Sequence, residues 1–155
     1  MNKIENMQHD EIELRSFVTF RLSRTYAELN RQAFKTLAKI TKLSLSQWRI
    51  LSVIEMEDTI SAAQVARYAD LDKGQISRAV KGLSELGFVS SHDHENDRRS
   101  SLLSLTKSGR EEHARVLKVM RKRQKLLTDG IHQDDLEKFR RILDVLSKRA
   151  REDVL

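Results

Sequence analysis

The sequence predicts a mainly α fold that carries one small β-hairpin, with helical segments on both sides of it. Two observations set this class. Apolar residues recur at three- and four-residue spacing through most of the chain, and only Phe88 to Leu105 breaks the texture, with two short β-like runs around a polar loop. Composition agrees. The 155 residues include no proline and five glycines, and 34% are charged, which suits long helices with few breaks.

Each element has its own signal. Ile12, Phe17, Phe20, Leu22, Leu29, Ala33 and Leu37 predict one long helix over residues 10–42. Ser44-x-x-Gln47 has capping-box form, in which each side chain serves the other residue's backbone N–H. It precedes Trp48, Leu51 and Ile54, so a second helix is expected to end near Glu57. Ser61-x-x-Gln64 repeats the signal before Val65 and Ala66, giving a short third helix to about Asp70. Asp72 suits the N-cap of a fourth, with Ile76, Ala79, Val80, Leu83 and Leu86 on one face and Gly87 just past its end. Phe88–Ser91 and Ser101–Leu105 read as the hairpin strands, with residues 92–99 as the loop. Thr106 is placed to cap a fifth helix that runs to Asp129 and is stopped by Gly130. A sixth carries Leu136, Phe139, Leu143 and Leu146.

Composition also excludes whole classes. Leu, Ile, Val and Phe number 43, well above the roughly 20% floor of chains that stay disordered, so one domain over residues 1–155 can bury a core. The absence of cysteine rules out disulfides, thiol redox sensing, a Cys nucleophile and zinc–thiolate sites. Apolar runs never exceed two residues, against about 18 for a membrane span, and residues 1–10 lack a signal-peptide core. A cytoplasmic protein with no membrane partner is expected. No enzyme signature is present, and no metal or cofactor is expected.

The net charge of +6 and a pI near 9.7 point to an anionic partner. Residues 61–110 hold 8 basic against 6 acidic side chains, and residues 115–150 hold 11 against 5. Charge alone would place nucleic acid on Arg121-Lys122-Arg123-x-Lys125. The motifs place it elsewhere, and that run reads as a solvated helical face.

The third and fourth helices, joined by a tight Asp70-Leu71-Asp72 turn, form a helix-turn-helix. The fourth presents Lys73, Gly74, Gln75, Ser77, Arg78 and Lys81 opposite its apolar face, weighted toward its N-terminus. A DNA-reading helix needs this arrangement, because N-terminal residues reach base edges and the positive end of the helix dipole favours phosphate. Gln can pair bidentately with adenine and Arg with guanine, while Ser and Lys suit phosphate. The bland alternative is an amphipathic helix with a solvated face. The following loop weighs against it, since Asp97, Arg98 and Arg99 lie at the expected hairpin tip. Arg at a tip suits the negative potential of a minor groove, and an Asp beside it can orient a guanidinium.

Leu45-Ser46-Gln47-Trp48-Arg49-Ile50-Leu51, Val65-Ala66, Ser77-Arg78-x-Val80-x-x-Leu83-x-x-Leu86-Gly87-Phe88-Val89, Asp97-Arg98-Arg99-Ser100 and Leu105-Thr106-x-x-Gly109, in this order, resemble the MarR (multiple antibiotic resistance regulator) family. The resemblance implies a winged helix-turn-helix lobe over residues 44–109 and a helical dimerisation lobe over 10–42 and 110–152. It implies a homodimer on inverted-repeat double-stranded DNA, usually a repressor. Lys73 to Lys81 would enter the major groove and Arg99 the minor groove. It further implies release by a small aromatic or phenolic acid. Three departures stand out. Ser91 replaces a frequent basic residue, Gly82 replaces a frequent Arg, and the lack of cysteine excludes the peroxide-sensing branch.

Candidate effector residues are Phe17, Phe20, Arg21 and Arg24 on the first helix, where Arg suits a carboxylate, together with Trp48. The spacing of Trp48 with Leu51 and Ile54 favours core over cleft wall. His92-x-His94 reads as polar wing rather than metal site, and His132 as a helix-start residue. Other readings remain open: a low-specificity architectural DNA binder, a small-molecule-binding protein on the same fold, and a helical adaptor for a protein partner.

Overall fold

The computed structural model describes residues 13–69, 72–94 and 97–152, with the backbone alone at residues 69, 93, 94 and 97–100. The elements in order are α1 (Val18–Ala38), α2 (Leu45–Glu57), β1 (Thr59–Ser61), α3 (Ala62–Ala69), α4 (Lys73–Glu85), β2 (Val89–His94), β3 (Asp97–Leu105), α5 (Lys107–Leu127) and α6 (Gln133–Arg149). Helices dominate and a small antiparallel sheet completes the fold, the class read from the sequence. Contacts divide the chain into two compact units, one through Val116 and one from Leu117, with α5 running across the division.

In the first unit the caps act as the sequence indicates. Ser44 and Gln47 form a complete capping box at α2: Gln47 N–H donates to Ser44 Oγ at 3.1 Å, and Ser44 N–H to Gln47 Oε1 at 2.8 Å. Ser61 and Gln64 do the same for α3, at 3.3 and 3.0 Å. Asp72 Oδ1 accepts the Gln75 N–H at 2.8 Å and opens α4. The far end of α4 closes in a Schellman motif, with Phe88 N–H on Leu83 O, Gly87 N–H on Ser84 O and Gly87 at φ +72°.

Three boundaries differ from expectation. The first helix is not continuous: residues 13–16 make a helical turn, Phe17 is extended, and α1 starts at Val18. The Ser16 hydroxyl bonds back to Glu13 O there, a local alternative to the helical ladder. At its other end α1 stops at Ala38, and Thr41 Oγ1 accepts the Leu43 N–H beyond it. The hairpin strands are longer than expected, so Asp97, Arg98 and Arg99 begin β3 rather than forming a tip; His94 already pairs with Asp97. The sheet also has a third strand. β1 pairs with β3 through Ile60↔Leu103, giving the order β1-β3-β2.

One apolar cluster holds this unit together: Leu43, Ile50, Leu51, Ile54, Ile60, Val65, Ile76, Ala79, Leu83, Val89, Leu103 and Leu105. α2 is its centre. It buries Trp48, Ile50, Leu51 and Ile54, which do not share one face, so neighbours cover it on several sides. Leu103 and Leu105 alternate with half-buried Ser104, placing one face of β3 on the core. α1 joins α2 through Arg49, which donates to Asn30 Oδ1 at 2.7 Å and lies 5.7 Å over the Tyr26 ring. Trp48 stacks on the buried His113 of α5 with ring centroids 5.1 Å apart, the core placement that its spacing favours.

Gly109 locks the start of α5 to the end of α4. Thr106 Oγ1 donates to Gly87 O at 2.6 Å, Ser108 Oγ to the same oxygen at 2.8 Å, and Thr106 N–H to Phe88 O at 3.1 Å. A Cβ on residue 109 would stand 2.0 Å from Phe88 O, so only glycine permits this approach.

The second unit holds the end of α5 and α6. Gly130, at φ +75°, lies in the turn between them, and α5 itself ends at Leu127, two residues before the expected Asp129. His132 caps α6: its Nδ1 accepts the Asp134 N–H at 3.4 Å. Asp134 and Asp135 in the first turn and Lys148 and Arg149 in the last complement the helix dipole. No residue of α6 is buried. Of the basic run, Arg121, Lys122 and Lys125 are exposed, whereas Arg123 is half-buried and burial pushes its guanidinium below the ordinary value.

Candidate nucleic-acid interface

α4 has two distinct faces. Ile76, Ala79 and Leu83 are buried, and Lys73, Gly74, Gln75, Ser77, Arg78 and Lys81 are all exposed. Five of these six lie within the first two turns, where the dipole end is positive. Gly74 shapes this end. A Cβ there would meet Asp72 Oδ1 at 3.2 Å and Arg78 Nη1 at 3.4 Å, so the bare backbone leaves the space along which the Arg78 guanidinium lies. Lys81 stands one turn further on, 3.9 Å from Glu85, in a largely exposed pair that holds it only weakly.

The turn between α3 and α4 contains Asp70 and Leu71, which lie outside the described residues. Backbone alone is described for Asp97, Arg98 and Arg99, and it places them at the start of β3. On the neighbouring strand Ser91 and His92 are exposed, and His92 Nε2 lies 3.2 Å from Ser90 Oγ.

The residues proposed for an effector do not form a single group. Phe20, Arg21 and Arg24 line a shallow cleft of about 250 Å³ on α1, joined by Arg15 and Thr25, two residues that the sequence reading missed. The Arg24 guanidinium lies 5.9 Å from the Phe20 ring centre, within cation–π range. Phe17 caps α1 and is not among the lining residues, and Trp48 is in the core. Helical spacing gathers the α1 residues, but nothing in spacing alone could relate Trp48 to them.

Residues 41–100 match the sequence profile of the MarR family. Over those residues the chain is similar to the MarR family. The HTH-type transcriptional regulator YdgG of Bacillus subtilis is 27% identical over 126 residues, 80% of this chain and 79% of its own length. YdgJ of the same organism is 26% identical over 108 residues. That match covers 70% of this chain but 64% of YdgJ, less than two thirds of it. Among solved structures, a MarR-family regulator from Silicibacter pomeroyi superposes with a TM-score of 0.80 at 23% identity, covering 94% of this chain and 98% of its own. A mutant MarR of E. coli complexed with operator DNA gives 0.70 at 20% identity, covering 81% and 93%. PcaV of Streptomyces coelicolor in complex with its natural ligand gives 0.74 at 19%, covering 88% and 96%. The structural likenesses establish the fold, and the profile match lies on the helix-turn-helix and wing.

The curated relatives that the chain resembles are HTH-type transcriptional regulators. Within that frame the Gly82 departure has a structural counterpart. A Cβ on residue 82 would stand 2.6 Å from Gln47 Nε2, the side chain that completes the capping box of α2. Glycine lets the N-terminus of α2 seat directly on α4. No polar side chain extends from residue 82, so the exposed polar residues that the sequence assigns to this face gather mainly on the first two turns.

Proposed function

We propose that this protein is a MarR-family transcriptional regulator, a homodimeric repressor that binds an inverted-repeat operator and is released by a small aromatic or phenolic acid. The observation that carries the reading is the α4 surface: six exposed residues of DNA-reading type, gathered at a capped helix N-terminus, opposite a buried apolar face. Gln75 and Arg78 are assigned to base edges, and Lys73, Ser77 and Lys81 to phosphates or mixed contacts. Gly74 allows close approach of backbone. Asp97, Arg98 and Arg99 are assigned to the wing's contact with the minor groove. The relative solved with operator DNA supports this use of the fold.

Dimerisation is proposed for the terminal helices. Phe139, Ile142 and Val145 on α6 and Leu126 and Ile131 before it are all about half exposed or more. Such exposed apolar side chains, three of them at three-residue spacing on α6 and each stabilising by about 1.5–3 kcal/mol when buried, fit a second copy of the chain. Effector binding is proposed at the α1 cleft, where Arg21 and Arg24 suit a carboxylate and Phe20 an aromatic ring. Support comes from the solved PcaV complex with its natural ligand.

The test is fluorescence anisotropy at about 150 mM salt with upstream intergenic DNA and a scrambled duplex. Nanomolar binding with a preference of about a thousandfold is expected for a specific regulator. Equal, weak and steeply salt-dependent binding to both duplexes would replace the operator reading with that of a low-specificity binder. Addition of aromatic acids to the preformed complex tests release, and an unresponsive complex across a broad panel would remove the effector.

A further inference from the structure

α5 carries a charged surface of its own, on the stretch that belongs to the second unit. Lys118, Arg121, Lys122 and Lys125 are all exposed. Their spacing of three and four residues sets them on one side of the helix, over about 10 Å. Half-buried Met120, Arg123 and Leu127 take the opposite side. No acidic residue occurs from His113 to Thr128.

Other helical cations are compensated. Arg31, Lys81, Arg115 and Lys138 each keep a carboxylate one turn away on the same helix: Glu28, Glu85, Glu112 and Asp135. Lys118, Arg121, Lys122 and Lys125 make no ion pair among the described residues. Lys118 with Lys122, and Arg121 with Lys125, are like charges at i,i+4, an arrangement that weakens a helix. Uncompensated charge of one sign along a surface concentrates the opposite ion there.

The chemistry of the stripe narrows its occupant. A second copy of the chain meeting it symmetrically would set cations against cations. A lipid surface needs a free apolar side, and among the described residues of α5 only Leu126 is a largely exposed apolar side chain. Lys and Arg offer donors and no acceptor, so the stripe holds nothing that reads a base edge by accepting from it. A small monoanion would neutralise one cation and leave three. A row of phosphates neutralises all four.

We propose that this face of α5 binds the phosphate backbone of double-stranded DNA without reading its sequence, as a contact separate from α4. A protein with both surfaces can hold a second stretch of duplex beside the one that α4 reads. That consequence rests on the DNA reading of α4, whereas the contact at α5 does not.

The test uses the full-length protein and a short random-sequence duplex, at about 50 mM salt, where backbone contacts are strong. Anisotropy gives affinity and its salt dependence, and NMR follows the amides of residues 118–125. The variant Lys118→Gln, Arg121→Gln, Lys122→Gln and Lys125→Gln keeps good helix formers, and circular dichroism checks that the helix persists. It should bind the duplex at least tenfold more weakly, with a salt slope smaller by about 2–4. A control set, Lys35→Gln, Lys39→Gln, Lys42→Gln and Lys148→Gln, removes equal charge elsewhere and should change both less. With Lys73→Gln, Arg78→Gln and Lys81→Gln on α4, the duplex should still shift the amides of 118–125. Unchanged affinity and slope in the α5 variant would overturn the contact, whatever the operator result. Loss of those shifts in the α4 variant would overturn its independence. A glutamate-rich peptide that shifts these amides where the duplex does not would overturn it too, and give the stripe to an acidic protein segment.

Discussion

Gly109 is where a single atom decides whether two elements can meet. With a Cβ 2.0 Å from Phe88 O, alanine there must push the start of α5 away from the α4–β2 junction. That strains the Thr106 and Ser108 bonds to Gly87 O as well. Gly109→Ala should therefore destabilise the fold by about 2–3 kcal/mol, the scale of overpacking in a tight site, read as a lowered midpoint in urea. An unchanged midpoint would mean that the junction is looser than its geometry. The sequence displays Thr106-x-x-Gly109, but its purpose depends on Phe88, twenty-one residues earlier, and no local pattern encodes that distance. Gly82 is similar. The missing side chain is plain in the sequence, whereas its partner, the Gln47 amide, is visible only once α2 lies against α4. Asp72, Ser44 and Ser61 are the opposite case, because each acts within four residues of itself.

At the scale of elements, that locality separates what could be read from what could not. Helices with an apolar stripe and a capping residue at their start were legible: α2, α3, α4 and α6 begin where their caps stand. β1 was not, because three residues carry no period and its pairing with β3 is long-range. The break at Phe17 was also hidden, since apolar spacing continues across it. The caps make a direct prediction. Asp72→Ala removes the acceptor for the Gln75 N–H at the start of α4 and should cost about 1 kcal/mol of stability. Asp72→Asn, which keeps an acceptor, should cost less. If the two variants unfold at the same denaturant concentration, the cap is not what starts the helix.

The link between α5 and the α1–α2 turn predicts a dependence on pH. Arg115 and Thr41 hold the Glu112 carboxyl below its ordinary value of 4.5, with the Arg115 hydrogen bonds the larger cause and burial opposing them. A carboxylate with a depressed folded-state pKa stabilises fully above its unfolded pKa, and loses that contribution as pH falls through the folded value. The wild-type protein should accordingly lose stability below about pH 4.5 in part through Glu112. Glu112→Gln should be less stable at neutral pH and should show a shallower acid limb. Parallel acid limbs in thermal unfolding across pH 3–7 would remove Glu112 from the account.

For the whole molecule the deciding question is what covers α6. A helix of 17 residues with none buried, carrying Phe139, Ile142 and Val145 each about half exposed, gains little stability within its own chain. If a second copy covers this stripe, Phe139→Glu with Ile142→Glu places two charges in the contact and should yield a monomer. Helical content and the fold of the first unit should persist, because the apolar cluster around α2 includes no residue of α6. DNA affinity should then fall steeply. Two linked α4 helices bind an inverted repeat as one unit, and separating them forfeits an effective concentration worth about 10²–10⁴ in affinity. Sedimentation and anisotropy on the same preparation distinguish the cases. Half the mass with weak operator binding fits a dimer whose symmetry is the source of its affinity. Half the mass with undiminished binding would mean that one α4 and one wing suffice, and that the apolar face of α6 serves a purpose other than placing two reading heads on DNA.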